Sequence, residues 1–285
     1  MKTLASTYPL PDLAWALGVS RSGYYRWLKA LESPRARAAR QLIQQITEVH
    51  QQSRQTYGSP RVCALLRRHG VRTSENRVAR LMRRAGLKAR TKRAFRPRTT
   101  DSRHVHIPAP NRLLTAPPPS APNEVWVADI TYVWTRSGWA YLAAVMDLCS
   151  RKILGWSIGA SLETSLVKEA LQKALADRRP AAGLLHHSDR GSQYASSAFQ
   201  ALLHSWQVIP SMSALGHCYD NAAMESFWST LKTELVHQRD FQDLAEARLA
   251  IFDYIETFYN RTRLHSALGF KSPVEFEQEL TYKNN

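Results

Sequence analysis

Residues 125–159 read VWVADITYVWTRSGWAYLAAVMDLCSRKILGWSIG, and the fold is decided here. Aromatic and β-branched residues dominate three runs, at 125–134, 139–148 and 152–158, which signal strands. Only RSG and a turn at 149–151 separate them, and connections that short make an antiparallel meander. Downstream the period changes: 162–176 reads as a helix, 183–187 as a short buried strand, 197–206 as a helix and 208–212 as a further strand. Strand, helix, strand, helix, strand requires a parallel extension of the sheet. Helices over 221–236 and 244–259 complete the layer. The fold class expected is α/β, a mixed five-stranded sheet with helices, preceded by an all-α region.

That order gives three acids a shared location. Asp129 lies within the first strand and Asp189, in HSDRGSQY, just beyond the end of the fourth. Glu225, in DNAAMESFWSTLK, sits early in an amphipathic helix that can pack across the same edge. Active groups of open α/β sheets gather at such strand ends. Three converged carboxylates repel each other, so a hard divalent cation is the expected partner. Mg²⁺ suits them and Mn²⁺ can substitute. Two such ions about 4 Å apart activate an attacking water or 3′-hydroxyl and stabilise the leaving oxygen in phosphoryl transfer, with no protein nucleophile. The spacing of Asp189 and Glu225 taken alone is unspecific.

Working outward to the N-terminal side, charge becomes the main signal. Residues 1–122 carry 24 Lys/Arg against 5 Asp/Glu, or +19, whereas residues 123–285 carry 15 against 18, or −3. A segregated excess of this kind points to a polyanion. Residues 11–31 read as helix, turn at Gly18 and helix, with Ser20 as cap; in a helix-turn-helix, Arg21, Ser22, Tyr24 and Tyr25 would face the bases. The alternative is a hairpin that packs through Trp15 and Trp27. A longer helix is expected from about residue 37 to 53, with Leu42, Ile43, Ile46 and Val49 as its stripe. Another follows Ser59 as N-cap and stops at Gly70, and a last one spans 75–85 with Arg77, Arg80, Arg83 and Arg84 on its outer face, favouring phosphate contact. The domain division expected is 1–33, a helix-turn-helix-like segment; 34–90, a helical DNA-binding domain; 91–122, a basic, Pro-rich linker with Lys92 and Arg93 along a DNA backbone; and 123–285, the core with a C-terminal helical extension.

Simpler roles compete at several positions. Asp147 reads as a turn or salt-bridge residue, His186 and His187 as hydrogen-bonded strand-end residues, and Arg190 to Gln193 as a tight turn holding Asp189, with Arg190 or Gln193 open to a DNA contact. Trp126, Trp134, Trp139, Trp156 and Trp228 read as core, and Asn221 as a helix cap that orients Glu225. For Tyr259, Asn260, Arg263 and His265, packing against the active edge and strand binding weigh equally. Cys63, Cys149 and Cys218 show no CxxC and read as reduced structural thiols. No apolar run approaches a membrane span, and MKTLASTYPLPDL has no signal-peptide core. A cytoplasmic, nucleoid-associated protein is expected.

WVADITYVW, YLAAVMDLCSRKILGW, HSDRGSQY, DNAAMESFWSTLKTEL and YNRTRLHSALGFKSPVEF together resemble, in order, the core of the DDE transposases related to retroviral integrases, and above all the OrfB-type transposases of bacterial insertion sequences. The resemblance covers residues 57–276. It implies a ribonuclease-H-like core, a catalytic and metal-binding triad at Asp129, Asp189 and Glu225, and a DNA-end contact at Lys232 two helical turns after the glutamate. It also implies double-stranded DNA partners (the element's inverted repeats and a target), a homo-oligomer on DNA, and an upstream-frame OrfA-type partner. The His/His/Cys/Cys zinc module of retroviral integrases is missing from the sequence. The activity expected is strand cleavage at the element's ends and 3′-hydroxyl strand transfer. A transposase-derived regulator without catalysis and a plain ribonuclease-H-like nuclease stay open as alternatives at this point.

Overall fold

The structure, a computed structural model, describes residues 1–29, 32–90, 109–213 and 221–284. Lys92 and Arg93, like Cys218 and Asp220, lie outside the described residues. The chain divides into two compact units, Met1–Lys88 and Ala89–Asn285.

The first unit is helical. Helices α1 (Leu10–Ala16) and α2 (Arg21–Lys29) flank Gly18, whose φ of +61° suits a residue without Cβ. Ser20 Oγ accepts from the Gly23 amide, as a cap does. Packing through Trp15 and Trp27 does not occur, since the two side chains are 89% and 60% exposed. Helix α3 (Pro34–Gln52) starts earlier than its apolar stripe, because Ser33 caps Ala36 and Pro34 fits the first turn. In α4 (Ser59–Arg68) the N-cap is Gly58, so Ser59 is the first helical residue and not the cap. Ser74 caps α5 (Glu75–Arg84) by accepting from the Arg77 amide. Ile46, Val62 and Val78, one from each of α3, α4 and α5, are fully buried and form the centre of this small core.

The second unit is built on a five-stranded sheet in the order β3-β2-β1-β4-β5. Strands β1 (Val125–Thr135), β2 (Gly138–Asp147) and β3 (Ile153–Gly159) are antiparallel, while β4 (Leu185–Ser188) and β5 (Ile209–Met212) extend the sheet in parallel. This is the expected mixed α/β fold, with a ribonuclease-H-like core after the helical region. Helices α6 (Thr164–Arg178), α7 (Ser192–Ala195) and α8 (Ser197–Ser205) cover one face over a core that includes Trp126, Val145, Leu171, Phe199 and Leu203. The approach of α6 to β3 is close enough that a Cβ on Gly155 would collide with the Ala170 carbonyl and the Ala174 amide. On the other face lie α9 (Ala222–Glu234) and α10 (Leu244–Phe252), the latter continuing as a wide turn of π-helix over Asp253–Tyr259. The wider turn sends Tyr254, Ile255, Phe258 and Tyr259 inward together.

Several residues given simpler roles have clear ones here. Asp147 is a turn residue, accepting from the amides of Asn123 and Ser150 at 2.7 Å each. Asn260 bonds both the amide and the carbonyl of Ile153 at 2.9 Å, which pins the π-helix to β3. Arg263 and Glu234 form a buried ion pair at 2.7 Å, with the Tyr254 hydroxyl donating to Glu234. Packing thus claims Asn260 and Arg263. The sequence missed helix α11 (Pro273–Asn284) and the short α7. Trp134 and Trp139, expected in the core, are exposed. Among the described residues no helix is long and apolar enough to cross a membrane.

Candidate active site

Two of the three acids are neighbours because of strand register. Strand β1 pairs with β4 through Val125 and Leu185, Trp126 and His186, and Val127 and His187, a constant offset of 60. Carrying the same offset two residues past the last pair sets Asp129 opposite Asp189, since 189 − 129 = 60. The Asp189 carboxylate is held by its own turn, accepting from the Gly191 amide at 2.9 Å. That turn is anchored by Arg190, whose Nε donates to the Ser213 carbonyl at 2.7 Å, and by Gln193, which donates to the Leu162 carbonyl.

Asp129 is gripped from both sides. Its Oδ1 accepts from the Ile130 amide at 2.8 Å and its Oδ2 from the Trp228 indole at 2.9 Å. Trp228 lies on α9 one turn after Glu225, so the helix carrying the third acid is bonded to the strand carrying the first. Asn221, at the start of α9, makes no capping bond; its amide donates instead to the Ala128 carbonyl. That corrects the expected cap: the side chain ties the helix to β1 beside Asp129. Sequence reasoning missed the Trp228 bond as well. The available signal was its three-residue spacing from Glu225, which puts the two on adjacent turns.

The electrostatics follow from this crowding. Burial first, then the negative charge of Asp189, pushes the Asp129 carboxyl up to about 7, with a smaller push from Glu225 and an opposing pull from its two donors. Lys232 is half-buried, and desolvation lowers its pKa while the charge of Asp129 works against that. Glu225 itself is exposed. Among the described residues no three His, Cys, Asp or Glu side chains stand close enough to hold a metal ion. His187 is taken up by Ser211 and Ser213. Burial drives His186 down to about 3, so it is neutral within the helix-side aromatic packing of Tyr194 and Phe199.

The basic residues lie elsewhere. Arg77, Arg80 and Arg84 line a groove of about 550 Å³ with Ser33, Arg35 and Ala36, while Arg83 is exposed on the same helix. Arg21 is exposed at the start of α2.

Known proteins resemble the chain along nearly its whole length. Family models described as integrase core domains match residues 119–218 and 225–280, and one described as an HTH-like domain matches residues 37–95. A protein of insertion element IS600 from Shigella sonnei is 44% identical over 92% of this chain and 96% of its own length. The transposase InsF of IS3A from Escherichia coli K12 is 40% identical over 95% of each chain, and the IS904 transposase of Lactococcus lactis is 40% identical over 83% of this chain and 93% of its own. The chain belongs to the insertion-sequence transposases. This transposase is a DNA-binding enzyme with an integrase core on its sheet unit. Its HTH-like match begins at α3 and leaves out α1 and α2. A chain of the simian T-cell lymphotropic virus intasome aligns over 75% of the transposase and 69% of its own length at 16% identity, with a TM-score of 0.48.

Proposed function

We propose that the transposase hydrolyses a DNA strand at each end of its element and then joins the freed 3′-hydroxyl to another phosphodiester, with Asp129, Asp189 and Glu225 as the reacting acids. The observation that carries this reading is the β1/β4 register, whose continuation brings Asp129, within β1, level with Asp189, the first residue past the end of β4. The electrostatic push of Asp189 and Glu225 on Asp129 supports it, because it marks negative charge gathered at one place.

The donor set is all oxygen, and its excess charge fits a hard divalent cation such as Mg²⁺ or Mn²⁺, which these three carboxylates would hold. Such ions, two in number, would activate the attacking oxygen and stabilise the leaving one. The protein's own groups orient the rest. Trp228 and the Ile130 amide fix the Asp129 carboxylate, and the Gly191 amide fixes that of Asp189. Lys232, facing the acids' charge from α9, would hold the phosphate of the DNA end, with Arg190 beside it. Arg77, Arg80, Arg83, Arg84 and Arg21, with Lys92 and Arg93, would hold the duplex of the terminal repeats or the target. Two or more copies would synapse the ends, with an upstream-frame partner contributing to their recognition.

The test is Asp189→Asn, assayed on a labelled element end in Mg²⁺ with nicked and joined products scored separately. Both products should disappear while DNA affinity stays within about twofold. Full activity of that variant would remove Asp189 from the mechanism.

A further inference from the structure

Strand β1 outruns its neighbour. Its parallel partner β4 ends at Ser188, whereas β1 runs to Thr135 and pairs with β2 along its whole length. Successive side chains on this overhang alternate between faces. Thr131, Val133 and Thr135, on the face covered by α9 and α10, are buried. The opposite face carries Tyr132 and Trp134, paired across the ladder with Tyr141 and Trp139. Trp134 and Trp139 are 52% and 55% exposed, with ring centroids 4.9 Å apart at 72°. Tyr132 meets Tyr141 at 5.2 Å and Trp139 at 6.2 Å. The β3 residue opposite Tyr141 is Gly159, which adds no side chain to cover the rings.

The two exposed indoles and the half-buried rings of Tyr132 and Tyr141, the latter resting on the core, form a contiguous aromatic patch of the kind that marks a binding surface. Tyr132 follows Asp129 by three residues on β1, beyond the point where β4 ends, and burial and then the charges of Tyr141, Asp189 and Asp129 raise the pKa of its phenol. The partner's chemistry follows from the charge around it. Residues 123–285 carry 15 basic against 18 acidic residues, net −3, so net charge gives the core no general attraction for a polyanion. Stacking is an attraction that needs no net charge, and every base offers a π-face whatever the sequence. Bases within a duplex hide those faces; unpaired bases present them.

We propose that the Tyr132, Trp134, Trp139 and Tyr141 face receives unpaired bases of the DNA strand held at Asp129 and Asp189. The inference rests on the proposed acid site for where that strand lies. It gives the core its own sequence-independent grip on opened DNA, separate from the duplex grip of the basic residues.

The test uses the full chain without divalent metal and a mixed-sequence 12-nucleotide single strand containing 2-aminopurine, with the same sequence as a blunt duplex for comparison. The single strand should quench tryptophan fluorescence. Trp134→Ala combined with Trp139→Ala should weaken single-strand affinity about tenfold, in line with alanine substitution of stacking residues, and leave duplex affinity within about twofold. Cleavage by Asp189→Asn in Mg²⁺ is scored separately: retained cleavage overturns the acid-site reading, while the single-strand affinity of the tryptophan double variant decides this one. Equal single-strand affinity in the double variant overturns the proposal, as does loss of self-association by that variant with no change in single-strand affinity, which would make the patch a contact between copies. Should the double variant not fold, photocrosslinking of a 5-iododeoxyuridine strand to the unaltered chain decides: crosslinks within residues 132–141 support the proposal, and crosslinks confined to residues 1–88 overturn it.

Discussion

The helical unit and the sheet unit of this transposase solve opposite electrostatic problems. The first presents Arg77, Arg80, Arg83 and Arg84 on or beside α5, with Ser33 and Arg35 across a shared groove. Its core is thin, and its cations are displayed where water screens their repulsion. The second gathers acids beside one another, where burial and the charge of Asp189 push the Asp129 carboxyl up to about 7 against the pull of its two hydrogen-bond donors. Charge spread on a surface serves affinity, and charge concentrated against a rigid sheet serves chemistry. The sheet unit also buries an ion pair, Arg263 with Glu234, in its core.

The comparison can be broken most forcefully at that pair. Arg263→Ala would leave the Glu234 carboxylate buried without its cation and should cost about 3–5 kcal/mol of stability, read as a fall in the urea midpoint. A change below about 1 kcal/mol would mean that the pair behaves as a surface bridge and that the core is not strained by charge. Next in size, Arg80→Glu with Arg83→Glu should weaken duplex binding more than tenfold and flatten its salt dependence by about 0.9 per lost phosphate contact, with no change in the rate of cleavage at saturating DNA. An unaltered slope would show these arginines to be a solvated face. Smallest, Trp228→Phe removes a single donor to Asp129. The Mg²⁺ concentration needed for half-maximal cleavage should rise about tenfold, as loss of a bond that orients a metal ligand does, with duplex affinity unchanged. An unaltered Mg²⁺ requirement would reduce Trp228 to packing.

Much of this was legible in advance. The meander followed from the short connections at RSG and around Cys149–Arg151, and the parallel extension from the alternation of strand and helix. Asp129 could be placed within the first strand, and Asp189 just beyond the fourth, from element order. What escaped were matters of side-chain direction. Trp134 and Trp139 are residues of the core-forming type, yet they face each other across the β1–β2 hairpin end and are exposed there. Asn221 has the position of a cap, yet its amide reaches across to β1. Trp228 reads as core and is buried, but its one polar atom is spent on Asp129.

Sequence alone determined the kind of protein this is: the segregated charge, the three acids and the order of strands and helices are all local patterns, and local patterns set periodicity and topology. Tertiary structure decided which groups meet. The 60-residue offset that makes neighbours of Asp129 and Asp189 is a property of strand register, fixed by how two distant segments pack their faces together. The aromatic face of the overhang likewise exists only because β1 is long and β4 is short, a difference of lengths that acquires meaning once the two strands lie side by side.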